Sequence, residues 1–249
     1  QFWDGTFTTN GMAFSPDGSL VAVSSFLGIV VRQLPSLDVV AAVPPREPGD
    51  LVTDLAWSPD GSQLALTGQR GQSRIVEANT GADIMREITL AVGSQLRWSS
   101  DGSRIAVIVP GGSSRIIDAR TGDTIRDLPS VSGPVELAGW TRSDQRLVIV
   151  RAAEPDDAVV EFIDTATGER VGPPSRIAEL SSFTRGRGRI AGEDLFLFPV
   201  GAPAVSITTD PAEWARIACE VADRNLTESE WETYLQNLGP WRPTCPEAT

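Results

Sequence analysis

One short segment returns through this chain at nearly constant spacing. Phe14 opens FSPDGSLVAV, Trp57 opens WSPDGSQLAL, Trp98 opens WSSDGSRIAV and Trp140 opens WTRSDQRLVI. Phe183 opens a decayed fifth copy, FTRGRGRIAG. The opening aromatics stand 43, 41, 42 and 43 residues apart. A unit of that length cannot bury its own apolar surface, so successive units must cover one another.

The motif has a mechanical reading. Ser-Pro-Asp-Gly suits a type I turn followed by a left-handed residue, the usual three-residue hairpin with a bulge. Asp17 with Gly18, Asp60 with Gly61, and Asp101 with Gly102 are therefore expected to be turn residues that the fold needs repeatedly. A catalytic carboxylate has no reason to recur once per repeat. The runs after the turn, such as Leu64-Ala65-Leu66 and Leu147-Val148-Ile149, are apolar without alternation. Strands covered on both faces read this way. Further on come RIVEANTGADI from Arg74, RIIDARTGDTI from Arg115 and EFIDTATGERV from Glu161. Each ends a strand at a Thr-Gly turn, with Gly81, Gly122 and Gly168 at positive φ. The expected fold is all-β: a β-propeller with WD40-like blades and a period near 42 residues, one four-stranded blade per repeat.

Composition narrows the chemistry. The net charge is −12, which argues against gripping nucleic-acid phosphates. All 21 basic residues are Arg; Lys and His are absent. No Ser-His-Asp triad and no His-containing zinc site can be built, and two Cys are too few for a structural zinc. No phosphate loop or dinucleotide fingerprint follows a strand. Carboxylate-only chemistry, as in glycoside hydrolysis, has one cluster to draw on: Glu154, Asp156 and Asp157. A solvated loop between strands is the preferred explanation of that cluster. No catalytic residue, cofactor or metal ligand is expected, and no apolar run is long enough to span a bilayer. Arg185, Arg187 and Arg189 form the one local basic cluster, either an anion contact or a solvated turn in the decayed blade.

Residues 1–207 are expected to form the propeller. Gln1-Phe2-Trp3-Asp4 reads as the end of an earlier blade, so the propeller is expected to be partial or small. Residues 208–249 read as a two-helix tail. Asp210-Pro211 is an N-cap followed by Pro at the first helical position. Thr227-Glu228-Ser229-Glu230 is a capping box. Gly239-Pro240 ends the second helix. Trp214, Trp231 and Trp241 read as packing residues. An antiparallel helix pair can bring Cys219 and Cys245 together as a disulfide; two buried free thiols remain the alternative. Asn225-Leu226-Thr227 matches a glycosylation sequon but reads better as the corner between the helices.

This tail also carries a resemblance. WARIACEVADRNLTESEWETYL followed by PWRPTCP resembles the C-terminal end of actinobacterial WD40-repeat signalling proteins. The match runs through Trp214, Ala218-Cys219, Arg224-Asn225-Leu226-Thr227, Glu230-Trp231, Tyr234 and Thr244-Cys245-Pro246. In that family the propeller follows a STAND-type NTPase, often preceded by a transcriptional-activator, peptidase or kinase domain. Some members place the propeller beyond a membrane span. The resemblance implies a non-catalytic sensor or docking module that binds a protein or small ligand on its blade loops. It also implies an extracytoplasmic location if the cysteines are bridged, and a cytoplasmic one if they are free. Candidate contact loops are residues 44–48 and 154–157. The repeats are similar as well to TolB-like periplasmic propellers and to those of prolyl peptidases, which leaves an extracytoplasmic ligand-binding or peptidase-associated propeller as the second expectation.

Overall fold

The computed structural model describes residues 11–25, 27–45, 47–48, 50–70, 72–84, 88–153, 157–177, 188–191, 193–197 and 204–208. In the tail it describes residues 213, 216, 219, 225, 227–230, 243 and 245.

The repeats fold into antiparallel sheets, each made from consecutive strands. The first sheet is β1 (Gly11–Phe14), β2 (Leu20–Ser25), β3 (Gly28–Gln33) and β4 (Val39–Val43). The second is β5 (Val52–Trp57), β6 (Gln63–Gly68), β7 (Gln72–Glu77) and β8 (Ile88–Thr89). The third is β9 (Gln95–Trp98), β10 (Arg104–Ile108), β11 (Arg115–Asp118) and β12 (Thr124–Asp127). The fourth is β13 (Val135–Trp140), β14 (Arg146–Ala153), β15 (Asp157–Asp164) and β16 (Ser175–Ile177). Three strands of a fifth follow: β17 (Gly188–Ala191), β18 (Asp194–Leu197) and β19 (Val205–Thr208).

The first strands of successive sheets are neighbours, β1 beside β5, β5 beside β9 and β9 beside β13. They form the inner edge of the fan. The fourth strands face outward; β12 is exposed along its whole length.

Between the blades lies the core, and this explains the missing alternation. In β6, Leu64 and Leu66 pack with Ile29, Val31 and Val43 of the first blade, while Ala65 packs with Ile105 and Val107 of the third. In β10, Ala106 and Ile108 turn to Leu147 and Ile149 of the fourth blade. In β14, Val148 and Val150 turn to Leu195 and Leu197 of the fifth. Each second strand thus serves two interfaces, so neither of its faces can be polar.

Packing also assigns the register of the fifth sheet. The residue before each opening aromatic packs toward the second strand of the next blade: Ala13 joins the cluster holding Leu64, and Ala56 the cluster holding Ile105. Gly139, at the same repeat position, lies against Ile190 of β17, where an added Cβ would come within 2.7 Å of Ile190 Cδ1. β17 is therefore a second strand, in phase with the sequence repeat. The expected inner strand around Phe183 lies outside the described residues, as do residues 1–4.

In the tail, Glu213, Arg216, Cys219 and residues 228–230 are helical. The remainder of the two expected helices, with Trp214, Trp231 and Trp241, lies outside the described residues. Thr227 and Glu230 close the capping box: Glu230 N donates to Thr227 Oγ1 (3.2 Å) and Thr227 N donates to Glu230 Oε2 (2.8 Å).

Candidate functional site

The recurring Asp acts inside its own turn. Asp60 accepts from Ser58 Oγ (2.6 Å), Ser62 N (3.0 Å) and Ser62 Oγ (2.9 Å). Asp17 does the same with Ser15 and Ser19, and Asp101 with Ser99 and Ser103. These donors stabilise the charged form. The Ser15 hydroxyl, then the Ser19 amide and hydroxyl, hold the Asp17 carboxyl down at about 2. Ser99 and Ser103 hold Asp101 at about 2, and Asp60 is lowered by Ser58 and Ser62. A general acid needs the opposite shift. Gly18, Gly61 and Gly102 take φ of 71°, 72° and 71°, the left-handed position the turn requires.

Two further ties join the blades at these turns. Trp57 Nε1 donates to Ala13 O (3.0 Å), Trp98 Nε1 to Ala56 O (3.2 Å) and Trp140 Nε1 to Arg97 O (2.8 Å). Each indole reaches the carbonyl just before the preceding blade's aromatic. The turns themselves also stack: a Cβ on Gly61 would sit 3.7 Å from Pro16, and one on Gly102 3.6 Å from Pro59. In the fourth blade both partners change. Asp144 stands in the Gly position at φ 55°. Ser100 stands in the Pro position, and its N and Oγ donate to Asp144 at 2.8 and 2.7 Å. An apolar contact has become a hydrogen-bonded one.

On the inner strands a charged network runs across three blades. Arg97 of β9 donates to Asp54 of β5 through Nη1 (2.5 Å) and Nη2 (3.2 Å), and to Ala138 O of β13 through Nε (2.9 Å). Gln95 Nε2 adds a bond to Val135 O (3.0 Å). Nearer the fifth blade, buried Glu161 accepts from Arg151 Nε (2.7 Å) and Arg170 Nε (2.6 Å). Burial works to raise its pKa, but the two guanidinium groups prevail and the carboxyl is lowered. Arg170 Nη2 also reaches Ser130 O (2.8 Å), in the connection leaving the third blade. Sequence reasoning missed both networks. The Asp54–Arg97 and Ser130–Arg170 contacts join residues about one repeat apart, visible only when repeats are laid side by side, whereas Glu161 takes its arginines from 10 and 9 residues away in its own blade.

A cleft of about 490 Å³ opens between the second and third blades. Gln63, Asp60, Ile84, Trp98, Asp101 and Arg120 are among its walls. It lies on the rim that carries the Ser-Pro-Asp-Gly and Thr-Gly turns, which adjoin through bonds such as Ala78 N to Ser62 O (2.9 Å).

Other predicted positions fall elsewhere. Asp157 begins β15 and pairs with Arg176 at 3.2 Å, a surface ion pair; Glu154 and Asp156 lie outside the described residues. Arg189 lies in β17, while Arg185 and Arg187 lie outside the described residues. Cys219 and Cys245 are joined as a disulfide with Cα atoms 5.4 Å apart. Asn225 Oδ1 accepts from Cys245 N (2.7 Å), so the amide of the sequon position holds the segment at the bridge. Among the described residues no group of three or more His, Cys, Asp or Glu is placed to hold a metal, and no helix is long and apolar enough to cross a membrane.

Consecutive four-stranded antiparallel blades, tied inner strand to inner strand and buried on both faces, define a WD40-type β-propeller domain. Residues 12–94 and 86–143 match the family described as "Anaphase-promoting complex subunit 4 WD40 domain", over half of the chain, and the chain belongs to that family. The fold is similar to the β-propeller domain of Myceliophteria thermophila Cps50 (Swd1), with a TM-score of 0.65 at 17% identity, covering 82% of this chain and 67% of that one. A search of the curated proteins found no match. WD40 propellers are as a class protein-interaction scaffolds, and generally non-catalytic.

Proposed function

We propose that this chain is a non-catalytic interaction and sensing module of a larger signalling protein. It takes a protein or a small ligand on the rims of its blades. The observation that carries this reading is where the carboxylates are spent. Asp17, Asp60 and Asp101 are lowered by their own turns, and Glu161 is lowered by two arginines. Their chemistry holds the scaffold and leaves the loops free to vary. The tail resemblance supports attachment to a STAND-type NTPase. The Cys219–Cys245 bridge supports an oxidising, extracytoplasmic setting. A ligand on the rim can act on an attached switch only through different affinities for its two states.

The test places a photocrosslinking residue at Glu47 or Pro59, one on each rim, and at Thr124 on the outer strand β12, in the native host. Rim positions are expected to capture one reproducible partner that Thr124 does not. The same captured set at all three positions would sink the reading.

A further inference from the structure

The first three blade interfaces present three versions of one groove, and of their tryptophans Trp98 is the one left incompletely covered. The residue that opens the second strand lies beside the next blade's tryptophan. Between the first and second blades this is Leu20, which packs on the cluster containing Trp57. Trp57 is 9% exposed. Between the third and fourth it is Arg104, whose guanidinium lies 4.9 Å from the ring centre of Trp140. Trp140 is 8% exposed. Between the second and third it is Gln63, a shorter and uncharged side chain. There Trp98 is only half-buried, and the cleft of about 490 Å³ opens beside it.

We infer that this cleft is a docking site for an arginine side chain of a partner protein, which stacks on Trp98 between Asp60 and Asp101. The molecule itself supplies the precedent, because Arg104 occupies the equivalent groove one interface further on. Charge complementarity points the same way. Asp60 and Asp101 line the cleft and hold their charge well into acid. Within the turn, Asp60 Oδ2 accepts only from Ser62 Oγ, and so retains capacity for a guanidinium N–H. The whole chain carries −12. Ile84 offers an apolar wall for the guest's methylene stem. Arg120 at the rim opposes the guest and weakens it without cancelling two carboxylates. An aromatic face, paired carboxylates and an apolar wall are what a guanidinium needs and what an anion does not.

This inference deepens the interaction-module reading and rests on it. The experiment titrates the full chain with the peptide Ac-Ala-Arg-Ala-NH2 and follows the indole N–H resonance of Trp98, assigned with Trp98→Phe. Its neutral citrulline analogue and Ac-Ala-Glu-Ala-NH2 serve as controls. The arginine peptide is expected to bind about tenfold more tightly than the citrulline peptide, and the glutamate peptide not at all. Gln63→Arg rebuilds the filled groove and is expected to abolish the response with thermal stability unchanged or raised. Arg120→Ala is expected to tighten binding. Equal response to arginine and citrulline, preference for glutamate, or undiminished binding by Gln63→Arg would each overturn the proposal. A rim-specific partner whose capture survives Gln63→Arg would remove the arginine site and leave the interaction module standing.

Discussion

Asp144 is the residue that best separates what the repeat demands from what one blade has altered. Its φ of 55° belongs to a position where other blades use glycine. The strain is offset by hydrogen bonds from Ser100 and the amide of Asp101. Asp144→Ala is expected to lower stability by about 2 kcal/mol or more, since it orphans donors bound to a charged acceptor. The double substitution Ser100→Pro with Asp144→Gly restores the arrangement of the other turns and is expected to recover most of that loss in a denaturant-melt cycle. The Asp-Ser turns set a pH dependence. Asp17 and Asp101 titrate at about 2 in the folded state, below the ordinary carboxylate range. Their contribution is fully present above the unfolded-state value near ~3.9 and is lost as pH falls toward 2. Melting temperature is expected to drop across that window, and less steeply in Asp101→Asn. The turn roles of Asp17, Asp60 and Asp101 were legible because three copies agree. The Asp144–Ser100 exchange was not, because each half of it looks like decay on its own.

At the scale of the element, the Thr-Gly turns do more than reverse the chain. A Cβ on Gly168 would fall 2.6 Å from Asp127 O, the backbone of the preceding blade's outer strand. Gly172 has a similar φ of 75° but nothing within 4 Å. Gly168→Ala is therefore expected to cost at least about 1 kcal/mol more than Gly172→Ala, the difference isolating the blade contact from the backbone strain. Leu37 shows the opposite departure: at the corresponding place in the first blade it holds φ 63° with a full side chain. The positive φ of Gly81, Gly122 and Gly168 followed from the sequence alone. The close approach of Gly81 and Gly168 to the neighbouring blade did not, because nothing local encodes it. In the tail, the bridge closes a span of 26 residues and is worth about 3 kcal/mol in the chain-entropy model. Alkylation of the unfolded protein is expected to label the cysteines only after reduction. Labelling without reduction would remove the argument for an oxidising compartment.

At the scale of the molecule, the apolar core of the described residues lies between neighbouring blades. Ile149 is fully buried at the interface of the third and fourth blades. Ile149→Ala is expected to cost about 2–5 kcal/mol, and hydrogen exchange should show protection lost on both sides of that interface. The propeller as an architecture was legible in the period and in the unalternating strands. The Asp54–Arg97 network and the arginine pair on Glu161 were not, because the partners come from different blades or different turns of the same sheet.

The tryptophan ties carry a direction in time. Ala13 is made before Trp57, Ala56 before Trp98, and Arg97 before Trp140. As the chain leaves the ribosome, the carbonyl each indole needs has already emerged. Every blade can therefore be fastened to finished work behind it, and none of these three ties has to wait for a residue still to be synthesised.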